Sequence, residues 1–225
     1  MDWVHQYQLF LFDFDGLLVN TEEIHYNAYK TMCARRGFNF SWDFNRYCQA
    51  AHYDANALRD QLFIEFPELQ RQEPDWSVIY AEKKKALKEL LSEGSVKLMP
   101  GVEELLNKIQ ESQIKSCVVT HSPDEMVNLI RKQLPILNTI PFWITREHYD
   151  QPKPSPECYI KAIDLLAQPH DKVIGFEDTP RGLKALFGSR ARPVIICQAQ
   201  YPELPSFVEA GALHFPSFHS AIKEM

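Results

Sequence analysis

Short apolar runs recur along the chain and are separated by longer segments in which apolar residues have helical spacing. The runs are rich in aromatic or β-branched residues and are bounded by polar or turn residues. This pattern is typical of fully buried strands in a parallel sheet. The runs are LFLF at 9–12, CVVT at 117–120, FWIT at 142–145, VIGF at 173–176 and VIIC at 194–197.

Amphipathic helices are predicted between these strands. Apolar residues recur three and four positions apart in segments 101–113, 126–134 and 159–166, so that each segment has one apolar face. Strands that alternate with helices of this length indicate βαβ units. The sequence therefore predicts an α/β fold with a doubly wound, Rossmann-like parallel sheet.

One long segment interrupts the alternation of strands and helices. Residues 21–94 have helical spacing at 22–36, 54–66 and 77–93 and no convincing strand. About 75 residues are too many for an ordinary crossover between two strands. The segment is either a set of extra helices packed on the sheet or an inserted α-helical cap domain. We favour the cap, which gives a core domain of residues 1–20 and 95–225 and a cap domain of residues 21–94.

Composition and charge narrow the range of partners. The 225 residues include 24 Lys and Arg against 30 Asp and Glu, for a net charge of −6. This balance argues against binding to nucleic acid or to a membrane surface, both of which need basic patches. The five cysteines are widely spaced, and the chain starts without a basic, apolar leader. We therefore expect a cytoplasmic protein with reduced thiols.

Two carboxylates follow the first predicted strand directly. Asp13 and Asp15 flank a single residue, and Gly16 comes next. Buried carboxylates are costly unless a cation pairs with them, and glycine lets the backbone turn tightly. A pair of acids and a glycine is by itself a weak signal, because a solvated surface turn has the same composition.

Polar residues also follow the other predicted strands. Thr120 ends the second run, Lys153 follows the third, and Glu177 and Asp178 follow the fourth. In a parallel sheet these strand ends share one edge, where ligands bind in open α/β folds. Several carboxylates and one lysine at such an edge predict an oxygen-rich magnesium site beside a phosphate pocket.

The segments that carry these residues resemble the four motifs of the haloacid dehalogenase superfamily. They are DFDGLLVNT at 13–21, VVT at 118–120, KPSP at 153–156 and GFEDT at 175–179, in the order of the family. The helical segment is similar to the helical cap of the β-phosphoglucomutase and phosphoglycolate phosphatase branch. The resemblance covers the whole chain and implies a phosphoryl-transfer enzyme.

Specific roles for four residues follow from the resemblance. Asp13 is expected to be the nucleophile that forms an aspartyl-phosphate. Asp15 is expected to act as general acid for the leaving alkoxide and then as general base for water. Thr120 and Lys153 are expected to bind the phosphate oxygens.

The resemblance also implies a Mg²⁺ cofactor. The expected ligands are Asp13, Asp178 and the backbone carbonyl of Asp15, and Glu177 assists directly or through water. The metal is expected to neutralise the phosphoryl group during transfer.

Asp15 separates phosphoryl transfer from dehalogenation among the reactions of the superfamily. Dehalogenases of the superfamily lack this acid, since a halide leaving group needs no proton. Phosphatase, phosphomutase and, more remotely, phosphonatase chemistry remain, together with a non-catalytic binding module that the intact acids disfavour. Segment 49–53 lacks the glycine and the cations with which the mutase holds a second phosphate. We therefore expect a phosphatase that acts on a small phosphorylated metabolite, with a sugar phosphomutase as the alternative.

His25 is the candidate substrate-binding residue of the cap. It lies on the first predicted cap helix, where the mutase has a histidine facing the active site, although a histidine on a helix surface is an equal alternative. Arg59 is the arginine nearest to segment 49–53 and is either a substrate contact or a residue of the helix exterior. A monomer is the expected assembly.

Overall fold

The core of the protein is a six-stranded, fully parallel sheet. A computed structural model describes residues 1–51, 56–94, 96–198 and 201–225. The strand order is β3-β2-β1-β4-β5-β6. All neighbouring strands pair in parallel. The strands are β1 Leu9–Phe12, β2 Lys115–Val119, β3 Phe142–Ile144, β4 Val173–Glu177, β5 Arg192–Ile196 and β6 Leu213–Phe215.

The five apolar runs are all strands, which confirms the predicted sheet. Strands β2 and β5 each begin two residues before the apolar run. The sixth strand, β6, was not predicted. It is three residues long, lies at the edge of the sheet and contains His214, so it lacks the continuous apolar pattern of a buried strand.

Alternate residues of β1 point to opposite faces of the sheet. Because the residues on both faces are apolar, helices cover both faces. Leu9 and Leu11 belong to an apolar cluster with the helices at Glu157–Leu166 (α8) and Pro180–Phe187 (α9). Phe10 and Phe12 lie on the other face, where their rings stack on Phe176. The core helices are α6 Val102–Glu111, α7 Asp124–Gln133, α8 Glu157–Leu166, α9 Pro180–Phe187, α10 Leu204–Glu209 and α11 Phe218–Glu224.

The segment between β1 and β2 is helical, which confirms a helical insertion. Its helices are α1 Thr21–Arg35, α2 Phe44–Ala51, α3 Ala57–Glu65, α4 Pro67–Gln72 and α5 Trp76–Ser92. The helices predicted at 22–36 and 77–93 match α1 and α5 within one residue at each end. The helix predicted at 54–66 matches α3, although Asp54 lies outside the described residues. Helices α2 and α4 are short and were not predicted.

Contacts divide the chain into two compact units. One comprises Met1–Asn20 and Lys97–Met225, and the other comprises Thr21–Val96. The second unit has its own apolar core, to which α1, α2, α3, α4 and α5 all contribute buried residues. The predicted boundary at 94/95 lies two residues before this division, and Ser95 is outside the described residues.

Two connecting segments lie side by side where the insertion leaves the first unit. The amide of Asn20 donates to the carbonyl of Lys97 at 3.0 Å. The amide of Lys97 donates in return to Oδ1 of Asn20 at 2.7 Å. Val19 and Leu98 form an antiparallel bridge next to this pair. The entry and the exit of the insertion are therefore joined by hydrogen bonds within the sheet-bearing unit.

None of the helices described is both long and apolar enough to cross a membrane.

Candidate active site

The position of Asp13 follows from the ladder between β1 and β4. Its amide donates to the carbonyl of Phe176 at 3.0 Å, which extends the pairing one residue beyond β1. The side chain is buried. The backbone then turns at Gly16, where φ is +78°, and the Gly16 amide donates to the carbonyl of Val19 at 2.9 Å. A residue with a side chain would be strained in this left-handed conformation.

Lys153 joins three segments at the carboxyl edge of the sheet. Its ammonium is 2.5 Å from Oδ1 of Asp13 and 2.7 Å from Oε1 of Glu177. It also donates to the carbonyl of Val119 at 2.9 Å. Only 6% of the residue is exposed, so this is a buried ion pair that serves two carboxylates with one cation. The structure thus brings together the predicted residues Asp13, Lys153 and Glu177.

Burial and charge shift the pKa values of Asp13 and Lys153. Burial raises the pKa of Asp13 above its ordinary value, Lys153 opposes the rise, and the carboxylates of Glu177 and Asp15 add to it. Burial acts to lower the pKa of Lys153, but the carboxylates of Asp13 and Glu177 outweigh it and raise that pKa. Lys153 is therefore an ammonium, and the cluster around it has an excess of negative charge.

Asp15 accepts hydrogen bonds from two hydroxyl groups that follow β2. Oγ1 of Thr120 and Oγ of Ser122 lie 3.1 Å and 2.7 Å from Oδ2 of Asp15. The amide of Ser122 donates in turn to Oγ1 of Thr120 at 2.9 Å. Sequence reasoning named Thr120 but missed Ser122. The only signal for Ser122 was its place two residues beyond the end of an apolar run.

His121 holds the loop that carries Lys153. The amide of Lys153 donates to Nε2 of His121 at 2.8 Å. The His121 ring packs on Tyr149 at 5.9 Å between centroids, and the Tyr149 hydroxyl donates to the carbonyl of Thr120 at 3.0 Å. Burial, followed by the charges of Lys153 and two arginines, lowers the pKa of His121 to about 3. His121 is thus neutral at physiological pH, with Nε2 as the acceptor.

Three buried carboxylates form a candidate metal centre. Asp13, Glu177 and Asp178 each offer an oxygen, and these oxygens all lie within 4.8 Å of one another. These three carboxylates and that of Asp15 outnumber the single ammonium of Lys153. An oxygen-only donor set with excess negative charge suits a hard cation such as Mg²⁺. The side chain of Asp15 is outside this group.

Asp178 lies in the turn between β4 and helix α9. Thr179 is the N-cap, and its hydroxyl accepts from the amide of Gly182 at 3.2 Å. Pro180 occupies the first turn, where its missing N–H costs nothing. Thr179 therefore caps the helix, and Asp178 immediately precedes this cap.

Tyr159 on α8 is a buried neighbour of the site that sequence reasoning missed. Its hydroxyl donates a short hydrogen bond to Oε1 of Glu177. Burial, together with the carboxylates of Glu177 and Asp13, raises the pKa of Tyr159 well above its ordinary value, so the hydroxyl keeps its proton. The sequence held no signal for this contact, since Tyr159 fits the apolar face of a helix.

In the inserted unit, His25 lies beside a buried lysine. The ammonium of Lys83 and Nδ1 of His25 are 2.9 Å apart. Lys83 is 2% exposed, and its ammonium lies 4.9 Å from the ring centre of Tyr29. Sequence reasoning did not single out Lys83, which lies within the helix predicted at 77–93. A substrate role for His25 stays a prediction.

Arg59 lies on the exterior of its helix. Its guanidinium is 2.8 Å from Oδ1 of the neighbouring Asp60, and both side chains are exposed to a third or more of their surface. This placement favours the helix-exterior interpretation of Arg59. His52 and Tyr53 of segment 49–53 lie outside the described residues.

Two proteins with similar sequences are named as phosphatases of phosphorylated sugars. The chain is 24% identical over 204 residues to a phosphorylated carbohydrates phosphatase of Thermotoga maritima, covering 90% of this chain and 91% of that protein. It is 29% identical over 193 residues to 2-deoxyglucose-6-phosphate phosphatase 2 of Saccharomyces cerevisiae, covering 79% and 74%. A crystal structure of a CbbY variant of Rhodobacter sphaeroides, in complex with xylulose-1,5-bisphosphate, superposes with a TM-score of 0.73 at 25% identity. That match covers 94% of this chain and 95% of the other.

A family model also matches most of the chain. The model for haloacid dehalogenase-like hydrolases matches residues 10–190, a range that runs from the second residue of β1 past the end of β4 and contains the whole inserted unit. The four motifs, with Asp13, Thr120, Lys153 and Asp178, all lie within this range. These findings confirm the resemblance drawn from the motifs, and the chain belongs to the haloacid dehalogenase-like hydrolase family.

Proposed function

We propose that the protein is a Mg²⁺-dependent phosphatase that hydrolyses a small phosphorylated metabolite, such as a sugar phosphate, through an aspartyl-phosphate on Asp13. The observation that carries the proposal is the pairing of Asp13 with Lys153 directly beside the Asp15 carboxylate and its two hydroxyl donors. A nucleophile, a cation and a second carboxylate at one sheet edge are the groups that phosphomonoester hydrolysis requires. The relatives named as phosphatases of phosphorylated carbohydrates and of 2-deoxyglucose-6-phosphate support the substrate class.

The first step forms the covalent intermediate. A carboxylate oxygen of Asp13 attacks phosphorus, and the bond from phosphorus to the ester oxygen breaks. Asp15 donates its proton to the leaving alkoxide, which departs as an alcohol. Lys153 holds Oδ1 of Asp13 at 2.5 Å and so orients the nucleophile before attack.

The second step releases phosphate. Asp15, now a carboxylate, accepts a proton from water, and the water oxygen attacks phosphorus. The bond from phosphorus to Asp13 breaks, which restores the Asp13 carboxylate and the protonated Asp15. Thr120 and Ser122 keep Asp15 in place through their hydroxyl groups during both steps.

Asp13, Asp178 and Glu177, with the backbone carbonyl of Asp15, would hold the metal. When bound, Mg²⁺ supplies positive charge that neutralises the phosphoryl oxygens and the carboxylate cluster. The burial that raises the pKa of Asp13 supports this assignment, because a cation at this position would favour the ionised nucleophile.

The experiment is a screen of sugar phosphates, phosphoglycolate and nucleotides in which phosphate release and substrate loss are measured together. We expect one phosphate released for each substrate consumed in the presence of Mg²⁺. Asp13→Asn should abolish release, because an amide cannot form the acyl-phosphate, whereas the exposed matched control Asp164→Asn should keep wild-type activity. Normal turnover in a folded Asp13→Asn variant would refute the assignment of the nucleophile.

The same experiment separates the phosphatase from a phosphomutase. A mutase transfers phosphate within a sugar and would release little of it. An isomerised sugar phosphate, formed without free phosphate and only with a bisphosphate activator, would replace the phosphatase proposal with the mutase.

A further inference from the structure

Tyr159 contacts both charged neighbours of the nucleophile. Its hydroxyl donates to Oε1 of Glu177, and the ammonium of Lys153 lies 2.7 Å from the same oxygen. The Lys153 ammonium also lies 5.0 Å from the centre of the Tyr159 ring, within the range of a cation–π contact. Oε1 of Glu177 thus receives two donors, and Tyr159 contacts both the Glu177 carboxylate and the Lys153 ammonium.

Gly182 bounds the Glu177 carboxylate from a second side. A Cβ atom built on Gly182 would overlap Oε1, Cδ and Oε2 of Glu177 together. The carboxylate therefore lies flat against the glycine, which sets the plane of the group. Tyr159 and Lys153 both bind Oε1, so these two donors and Gly182 together fix the orientation of a carboxylate that belongs to the candidate metal centre.

The hydroxyl of Tyr159 is not needed to fill space. Tyr159 is fully buried in the apolar cluster beneath the sheet, where a phenylalanine ring would occupy nearly the same volume. A buried hydroxyl costs free energy unless it finds a partner, and the partner here is Glu177. The hydroxyl therefore contributes to the position of the Glu177 carboxylate more than to the packing of the core.

We propose that Tyr159 is a positioning residue for the metal centre, because its hydrogen bond to Oε1 fixes the orientation of the Glu177 carboxylate beside the cation that it would share with Asp13 and Asp178. This inference rests on the metal site of the proposed function. Partners that orient metal-binding carboxylates typically change metal affinity by about tenfold to a hundredfold when they are removed.

The test compares Tyr159→Phe with a matched control, Tyr149→Phe. Both tyrosines are buried in the same cluster, but the Tyr149 hydroxyl donates to a backbone carbonyl. Mg²⁺ binding to the full chain is measured by calorimetry without substrate, and Mn²⁺ binding by electron paramagnetic resonance. Tyr159→Phe should raise the Kd for both ions about tenfold. Tyr149→Phe should change the Kd less than twofold. It should lower the thermal midpoint by about as much as Tyr159→Phe does.

A double-mutant cycle shows whether Tyr159 acts through Glu177. In a Glu177→Gln background, Tyr159→Phe should change the Mg²⁺ Kd less than twofold, because the oriented carboxylate is already absent. A similar loss of affinity in both backgrounds would assign the effect to general packing. A Tyr159→Phe variant that binds Mg²⁺ within twofold of the wild type, or a wild type that binds no Mg²⁺, would overturn the inference.

Failure of this inference is distinguishable from failure of the proposed function. If the wild type hydrolyses no phosphate ester while the Kd values differ as expected, the positioning role survives and the phosphatase does not. If phosphate is released normally by Tyr159→Phe at every Mg²⁺ concentration, the phosphatase survives and the positioning role does not.

Discussion

Replacing Lys153 with methionine should destabilise the protein strongly in the absence of metal. The Lys153 side chain is 4% exposed, and its ammonium lies 2.5 Å and 2.7 Å from the carboxylates of Asp13 and Glu177. Methionine fills most of the volume but leaves both carboxylates buried without their cation. Removal of one partner from a buried ion pair costs about 3–5 kcal/mol in free energy of unfolding. For a chain of this length that corresponds to a fall of about 10 °C in the thermal midpoint.

The assay is equilibrium unfolding in urea and thermal unfolding, both with a chelator present. The matched control is Lys161→Met on α8, which removes an exposed ammonium 3.3 Å from Glu157. Exposed ion pairs contribute about 0–1 kcal/mol, so the control should remain close to the wild type. Adding Asp13→Asn to Lys153→Met should recover about 2 kcal/mol, because one uncompensated carboxylate is removed.

Two results would refute this reasoning. One is a Lys153→Met variant within about 1 kcal/mol of the wild type, which would mean that the carboxylates do not depend on the ammonium. The other is a double variant no more stable than Lys153→Met, which would mean that the two side chains do not interact.

Three further predictions concern other parts of the site. Asp178→Ala should raise the Mg²⁺ concentration needed for half-maximal phosphate release and lower turnover at least about a hundredfold, and unchanged Mg²⁺ dependence would contradict its role as a ligand. Gly182→Ala should lower the free energy of unfolding by about 1–3 kcal/mol in a chemical unfolding curve, since the new Cβ overlaps the Glu177 carboxylate. His121→Gln should reduce the loss of stability between pH 7 and pH 5 by about 1–2 kcal/mol. In the folded protein His121 has a pKa of about 3, below its unfolded value near 6.5. Its contribution to the free energy of unfolding is therefore complete above pH 6.5 and is lost as the pH falls towards 3. Equal pH dependence of stability in the wild type and the variant would contradict this.

Much of the fold could be predicted from the sequence because its signals are local. A buried strand of a parallel sheet is apolar on both faces, so LFLF at 9–12 identifies β1 without knowledge of its neighbours. The polar residues that follow each run mark where the strands end. Since parallel strands place these ends at one edge, Asp13, Lys153 and Glu177 were expected to lie together, and they do. Strand β6 was not predicted because an edge strand of three residues lacks that pattern.

Only the tertiary structure decided which side chains orient these residues. Ser122 donates to Asp15 across 107 positions of sequence, and the contact depends on the register of β1 against β2. Tyr159 reaches Glu177 only because α8 packs against β1, β2 and α9, and the residues next to Tyr159 in the sequence do not distinguish it from an ordinary apolar helix residue. Sequence patterns determine strands, helices and the residues at their ends, since these depend on a few neighbouring positions. Hydrogen bonds between distant segments depend on how whole elements pack, and the local pattern does not encode that geometry.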